Sequence, residues 1–165
     1  MKRMFGIEMH VPSGKLPGFY AQVIHKIGDH VNVFDRDEQL LIVDNEQERD
    51  KLAQLLEQAS MLGEEFALWL LPASASIDHL EDIGFESQAG HVYLYTDRVT
   101  AFSLDLSSGQ QQDRWAALEQ MKESTFGLIP GEAGDLYLTD PEQELLIEGI
   151  ARAYQVSVNW LASRD

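Results

Sequence analysis

Hydrophobic and polar residues alternate with a period of two over several short stretches of the chain, a pattern typical of strands with one covered face. Strands are predicted over residues 3–11, 19–27, 30–34, 39–43, 66–71, 91–95, 99–106 and 136–138. Of these, 39–43 is an uninterrupted apolar run that suggests a strand covered on both faces, and 66–71 is expected to be a buried strand. Gly28-Asp29 separates the second stretch from the third. We therefore predict a two-residue hairpin turn there, with glycine in the left-handed region.

Other stretches carry apolar residues at helical spacing behind residues that favour helix starts. Helices are predicted to begin at Asp44 or Asn45, at Ser76, at Ser108 and at Asp140. Trp115, Leu118 and Met121 are expected to form the buried side of the third helix. The last ten residues, 156–165, fit either a final strand or a helical turn.

These elements predict an α+β protein with a mixed or antiparallel sheet and helices on one side, in a single compact domain over residues 1–165. His30-Val31 matches His91-Val92, and Leu56-Glu57-Gln58 matches Leu118-Glu119-Gln120, at offsets of 61 and 62 residues. The matches suggest two pseudo-repeats, 28–84 and 89–155, each ordered strand–strand–helix–strand–helix, after an N-terminal β extension over 1–27. Duplication and chance agreement both remain open.

The composition excludes several classes of function. Twelve Lys and Arg against twenty-eight Asp and Glu give the 165 residues a formal charge of −16. This charge argues against direct binding to nucleic acid or to an anionic membrane. The absence of cysteine excludes disulfides, thiol catalysis and thiolate metal sites. No long apolar run follows the first residues, so we expect a cytoplasmic protein.

Sequence motifs for chemistry are sparse. The chain has no phosphate-binding glycine loop, no H-E-x-x-H and no G-x-S-x-G, so we expect no cofactor and cannot name catalytic residues. His25 and His30 would share one face of the predicted hairpin, but zinc needs three or four ligands and no third is evident, so no metal is expected. Asp44 and Asp105 hold equivalent repeat positions, which helix capping explains.

Negative charge is concentrated late in the chain. Residues 1–28 carry a net charge of +3, whereas the segment from Glu132 to Glu148 has no basic residue. Its six acids are Glu132, Asp135, Asp140, Glu142, Glu144 and Glu148. Such a segment is either a solvated face or a surface that attracts a basic partner.

The leading hypothesis is a non-enzymatic, macromolecule-binding protein of the inhibitor or immunity type, which uses this acidic surface against a basic protein. The alternative is a small-molecule-binding or catalytic protein with its site between the pseudo-repeats. The sequence leaves open the identity of the partner, the oligomeric state and the role of the basic N-terminal segment.

Overall fold

A computed structural model describes residues 1–14 and 17–161, and it confirms the predicted α+β class. The strands are β1 (Lys2–Met9), β2 (Asp35–Asp37), β3 (Leu40–Val43), β4 (Leu62–Leu70), β5 (Ser76–Ile77), β6 (Gly84–Glu86), β7 (Val92–Tyr95), β8 (Thr100–Leu104), β9 (Thr125–Ile129), β10 (Leu136–Thr139) and β11 (Val158–Trp160). The helices are α1 (Pro17–His30), α2 (Glu46–Gln58), α3 (Leu80–Ile83), α4 (Gln111–Met121) and α5 (Glu144–Ala153), with short 3₁₀ helices at Lys122–Ser124 and Pro141–Gln143.

The chain forms two compact units, and neither is continuous in sequence. Unit 1 comprises Met1–Leu71 and Glu86–Tyr93, and unit 2 comprises Pro72–Phe85 and Leu94–Asp165. The sheet of unit 1 runs β2-β3-β1-β4 and continues into β7 and β6, whose residues are divided between the units. The sheet of unit 2 runs β11-β8-β10-β9-β5. The β2–β3, β3–β1 and β1–β4 pairs are antiparallel, as are their counterparts in unit 2.

Each unit contains the same order of elements. In unit 1, β1-α1-β2-β3-α2-β4 gives a sheet in which the first strand lies between the fourth and the third. In unit 2, β8-α4-β9-β10-α5-β11 gives the same strand order. This is the order of the split β-α-β, or ferredoxin-like, motif.

The pseudo-repeats predicted for residues 28–84 and 89–155 are not confirmed. Their first two strands are β2 and β3 in one segment, and β7 and β8 in the other. The first pair lies side by side in one sheet, whereas β7 and β8 belong to different sheets. The two segments therefore differ in strand pairing.

The helix α1 replaces the first strand and the turn of the predicted hairpin, and with them the second half of the predicted N-terminal β extension, whose first half contains β1. Val23 and Ile27, four residues apart, are buried on one side of α1, and Gly28 lies in its last turns. The first predicted strand of the hairpin, the Gly28-Asp29 turn and His30 are thus helical, and His25 lies 3.3 Å from the Asp29 carboxylate one turn later. Residues 15 and 16, which belong to the predicted extension, lie outside the described residues.

The helices α1 and α2 cover one face of the sheet of unit 1. Ile7, Met9 and Val43 from the strands pack with the two helices in one buried cluster. The predicted start of α2 is confirmed, because the Asn45 side chain accepts a hydrogen bond from the Glu48 amide at 2.9 Å. Residues 31–34, predicted as a strand, are irregular, and β2 begins at residue 35.

In unit 2 the helices α4 and α5 likewise cover one face of the sheet, around Phe102 and Tyr137. Ala117 and Met121 are the buried residues of α4, which leaves Trp115 on the opposite side with 65% of its surface exposed. The expectation that Trp115 is buried was therefore wrong. The strand β9 is not among the predicted strands.

The ends of the unit 2 helices follow the predictions in part. The start at Asp140 is confirmed, because its carboxylate accepts a hydrogen bond from the Glu142 amide at 2.8 Å. Ser108 does not cap α4, since Gln110 holds the N-cap position. The tail contains β11, while residues 162–165 lie outside the described residues. Within the described ranges no helix has the length and hydrophobicity needed to cross a bilayer.

Candidate functional site

Unit 1 contains a buried carboxylate, that of Asp35 on β2. One carboxylate oxygen, Oδ2, accepts hydrogen bonds from the Ser87 hydroxyl at 2.6 Å and the Tyr93 hydroxyl at 2.8 Å, and lies 2.9 Å from His91 Nδ1. Oδ1 accepts from the Arg36 amide at 2.7 Å. Burial raises the pKa of Asp35, but these four hydrogen bonds together outweigh it and hold the pKa below the ordinary value. Asp35 is therefore ionised at neutral pH.

The partners of Asp35 come from the other edge of the same sheet. β2 is one edge strand, and Ser87 and His91 close the β6–β7 hairpin at the opposite edge. The Ser87 amide donates to the His91 carbonyl at 2.8 Å across the turn, and Gly90 takes a φ of 84°. Side chains from this turn and from β7 therefore meet around the Asp35 carboxylate on β2.

The Asp35–His91 pair resembles half of a hydrolytic triad, but the triad is incomplete. With Nδ1 facing Asp35, the other ring nitrogen of His91 is directed away from the carboxylate, and 42% of the side chain is exposed. In a nucleophilic triad the serine lies against that second nitrogen. Here Ser87 donates to the carboxylate instead. Within residues 1–14 and 17–161, the cluster can therefore orient an imidazole but positions no nucleophile.

Asp105, noted above at an equivalent repeat position, accepts a hydrogen bond from the Ser107 hydroxyl at 2.6 Å. Within the described residues, one group of three side chains could hold a metal ion: His79, Glu81 and Asp82, all exposed. Exposed acidic groups of this kind are common without a metal.

The six acids of the 132–148 segment do not form one continuous face. Glu132 and Asp135 belong to the loop before β10, whereas Asp140 and Glu142 follow the other end of that strand. Glu144 is exposed at the start of α5. Glu148 accepts a hydrogen bond from the Trp160 indole at 2.6 Å.

The first two of these acids lie at a groove along α4. The part of the groove beside Glu132 and Asp135 has a volume of about 330 Å³, and its apolar lining includes Leu104, Leu106 and Leu118. A second cavity, of about 200 Å³, is lined by residues that include Asp78 and Lys122. Tyr137 lines both cavities. We use the name Tyr137 groove for these two cavities, which share the Tyr137 side chain, and call each of them a part of it.

The walls of this groove follow from helix and sheet geometry. Lys122 directly follows the last residue of α4 and lies four residues after Leu118, so the two residues lie on the same side of the helix. The exposed Trp115 lies one turn before Leu118. On the sheet, Trp160, Phe102, Tyr137 and Leu128 are paired across neighbouring strands. The Phe102 ring lies 5.5 Å from the Tyr137 ring, centroid to centroid.

Tyr137 carries an unused polar group into the groove. The residue is only 8% exposed, yet its hydroxyl makes no hydrogen bond within residues 1–14 and 17–161. Every fully buried side-chain nitrogen or oxygen in that part of the chain has a partner, so this hydroxyl is in contact with solvent, and Tyr137 lines both parts of the groove. Burial raises the pKa of Tyr137 and the negative Asp135 adds to the rise, although Lys122 opposes it. The phenol is therefore neutral over the ordinary pH range.

Sequence reasoning placed Glu132 and Asp135 at a functional surface, but it wrongly expected Trp115 to be buried and gave Tyr137 no functional role. The available signal was the helical spacing of the apolar residues Ala117 and Met121, which lie four residues apart and are both buried, so that Trp115 lies on the outer side of α4. No local pattern marks Tyr137, because its surroundings are created by strand pairing.

Searches of known protein families, of curated protein sequences and of solved structures found no match to this chain.

Proposed function

We propose that this protein is a binding protein that recognises a basic protein through the exterior of unit 2. Unit 2 contains fifteen Asp and Glu residues and five Lys and Arg residues, a net charge of −10. Unit 1 contains thirteen acidic and seven basic residues, a net charge of −6. A surface with an excess of one sign of charge attracts partners of the opposite sign and accelerates their association.

The observation that carries the proposal is the exposure of large apolar side chains within this acidic unit. Trp115 on α4 is 65% exposed, and Leu145 and Leu146 on α5 are 83% and 52% exposed. Leu106 adds a further 59% exposed side chain beside the Tyr137 groove. Tryptophan is enriched among the residues that dominate binding energy in protein interfaces. Charge would then promote encounter, and these side chains would supply contact area.

The test begins with capture of partners from the native cell extract by the full-length protein, followed by identification of proteins retained in stoichiometric amount. The captured protein is then purified and titrated at low and high salt. We expect a basic partner whose affinity falls as salt rises, because salt screens attraction between exposed charges. An affinity that does not change with salt would contradict the proposal.

Matched variants distinguish binding through unit 2 from attraction by the total charge of the protein. Glu144→Gln and Glu46→Gln each remove one exposed acid from the first turn of an equivalent helix, α5 in unit 2 and α2 in unit 1. Trp115→Ala removes the exposed indole. We expect Trp115→Ala and Glu144→Gln to weaken binding and Glu46→Gln to leave it nearly unchanged. Equal losses from the two glutamate variants would show that only net charge matters.

A further inference from the structure

We propose that the Tyr137 groove binds the guanidinium group of an arginine side chain supplied by the basic partner. The proposal rests on the proposed function, since it names the group that the acidic unit recognises. It begins from the Tyr137 hydroxyl, which belongs to a buried side chain and has no hydrogen-bond partner in the described chain. A neutral phenol oxygen can accept a hydrogen bond from an N–H donor.

The charges around the groove favour a cation. Glu132 and Asp135 line one part, and Asp78 lines the other. Lys122 is the one cation among the lining residues given above, and its ammonium lies 2.8 Å from the Glu119 carboxylate, which compensates its charge. An anionic ligand would meet several carboxylates here, whereas a positively charged donor group would be attracted.

The apolar walls favour guanidinium over ammonium. Leu104, Leu106 and Leu118 line the part of the groove that holds Glu132 and Asp135. Guanidinium is planar, weakly hydrated and able to pack against apolar or aromatic surfaces while donating several hydrogen bonds in its plane. Ammonium is compact and strongly hydrated, so it would lose more solvation in such a groove.

The size of the groove suits one side chain. A volume of about 330 Å³ lies at the lower end of the range for small-molecule pockets, which starts at about 300 Å³. The exposed Trp115 lies one turn along α4 from Leu118 and can contact the residues that flank the arginine. The occupant we propose is therefore an arginine followed or preceded by an apolar residue.

The test uses short synthetic peptides and the full-length protein. The probes are acetyl-Leu-Arg-Leu-amide and the same peptide with lysine or with citrulline, the uncharged analogue of arginine. Binding is followed by nuclear magnetic resonance through the backbone amides of the groove glycines Gly127, Gly131 and Gly134, with Gly28 in unit 1 as the reference. We expect the arginine peptide to shift the groove glycines and to bind at least about tenfold more tightly than the citrulline peptide.

Two groove variants and one matched control complete the test. Tyr137→Phe removes only the hydroxyl and breaks no hydrogen bond of the described chain, and Asp135→Asn removes one charge. Each should weaken arginine-peptide binding by about tenfold, while Glu57→Gln, an exposed acid on α2, should not change it. Thermal unfolding confirms that each variant is folded. If one of them fails to fold, the other carries the test.

The outcomes distinguish this inference from the proposed function. Equal binding of arginine and citrulline peptides, or shifts confined to residues outside the groove, would overturn the inference. Equal binding of the lysine peptide would overturn the choice of guanidinium. If a basic protein still binds in a salt-dependent way while no peptide shifts the groove glycines, the inference fails and the proposed function stands.

Discussion

The substitution Asp35→Ala should strongly destabilise the protein, because it removes one acceptor from several buried donors at once. Tyr93 is fully buried and Ser87 is 4% exposed, so neither hydroxyl can easily turn to water when the carboxylate is lost. Each buried donor that loses its acceptor costs about 1–3 kcal/mol. His91 is 42% exposed and can be rehydrated. We therefore expect a loss of about 3–5 kcal/mol in the free energy of unfolding.

The measurement is urea denaturation followed by far-ultraviolet circular dichroism. Asp37→Ala, two residues further along β2, is the matched control and should change the free energy by about 0.5 kcal/mol or less. The variant that combines Asp35→Ala with Ser87→Ala and Tyr93→Phe removes the two buried hydroxyls together with their acceptor. Because removing both partners costs less than removing one, its loss should be well below the sum of the three single losses.

A cost below about 1 kcal/mol for Asp35→Ala would refute this reasoning, since it would mean that water or other groups replace the carboxylate. Strict additivity in the combined variant would refute it as well. In that case the donors would be satisfied independently of Asp35.

Three further predictions concern pH, glycines and helix faces. The pKa of Asp35 is lowered on folding, so ionised Asp35 stabilises the folded state fully above the unfolded pKa of about 3.8, and this stabilisation is lost as the pH falls through the folded pKa. Urea denaturation at a series of acidic pH values should show this loss of stability in the native protein and not in Asp35→Ala. In α5, the methyl group added by Gly149→Ala meets no neighbouring atom, so this substitution should add about 1 kcal/mol to the free energy of unfolding. By contrast, Gly109 has a φ of 73°, and the methyl group of Gly109→Ala would lie 2.8 Å from a backbone oxygen, so this substitution should reduce thermal stability. Trp115→Ala should change the free energy of unfolding by about 0.5 kcal/mol or less, whereas Ile147→Ala, which is fully buried, should cost about 2–5 kcal/mol in the same assay.

The helix starts at Asn45 and Asp140 could be predicted from the sequence, because their signals are local, whereas α1 could not. Asn45 and Asp140 cap their own helices, and the information for both lies within three residues. The region of α1 is rich in aromatic and β-branched residues, whose strand propensity suggested a hairpin. The burial of Val23 and Ile27 against α2 and the sheet determines the helix instead.

The two candidate sites depend on contacts between distant parts of the chain. Asp35 stands in the polar run Asp35-Arg36-Asp37-Glu38, which is typical of a turn, and its side-chain partners follow 52 to 58 residues later. The aromatic row around Tyr137 requires the register of four strands. Neither arrangement leaves a periodic or spaced motif in the sequence, which is why the acidic residues were recognised but the groove was not.

The discontinuity of unit 1 has a consequence for how this protein is made and divided. The segment Glu86–Tyr93, which supplies three of the groups around Asp35, is synthesised after the first fourteen residues of unit 2. A nascent chain that has emerged only as far as Leu71 therefore holds the Asp35 carboxylate without Ser87, His91 or Tyr93. Completion of unit 1 must wait for translation beyond residue 93, and a single protease cut cannot release either unit whole.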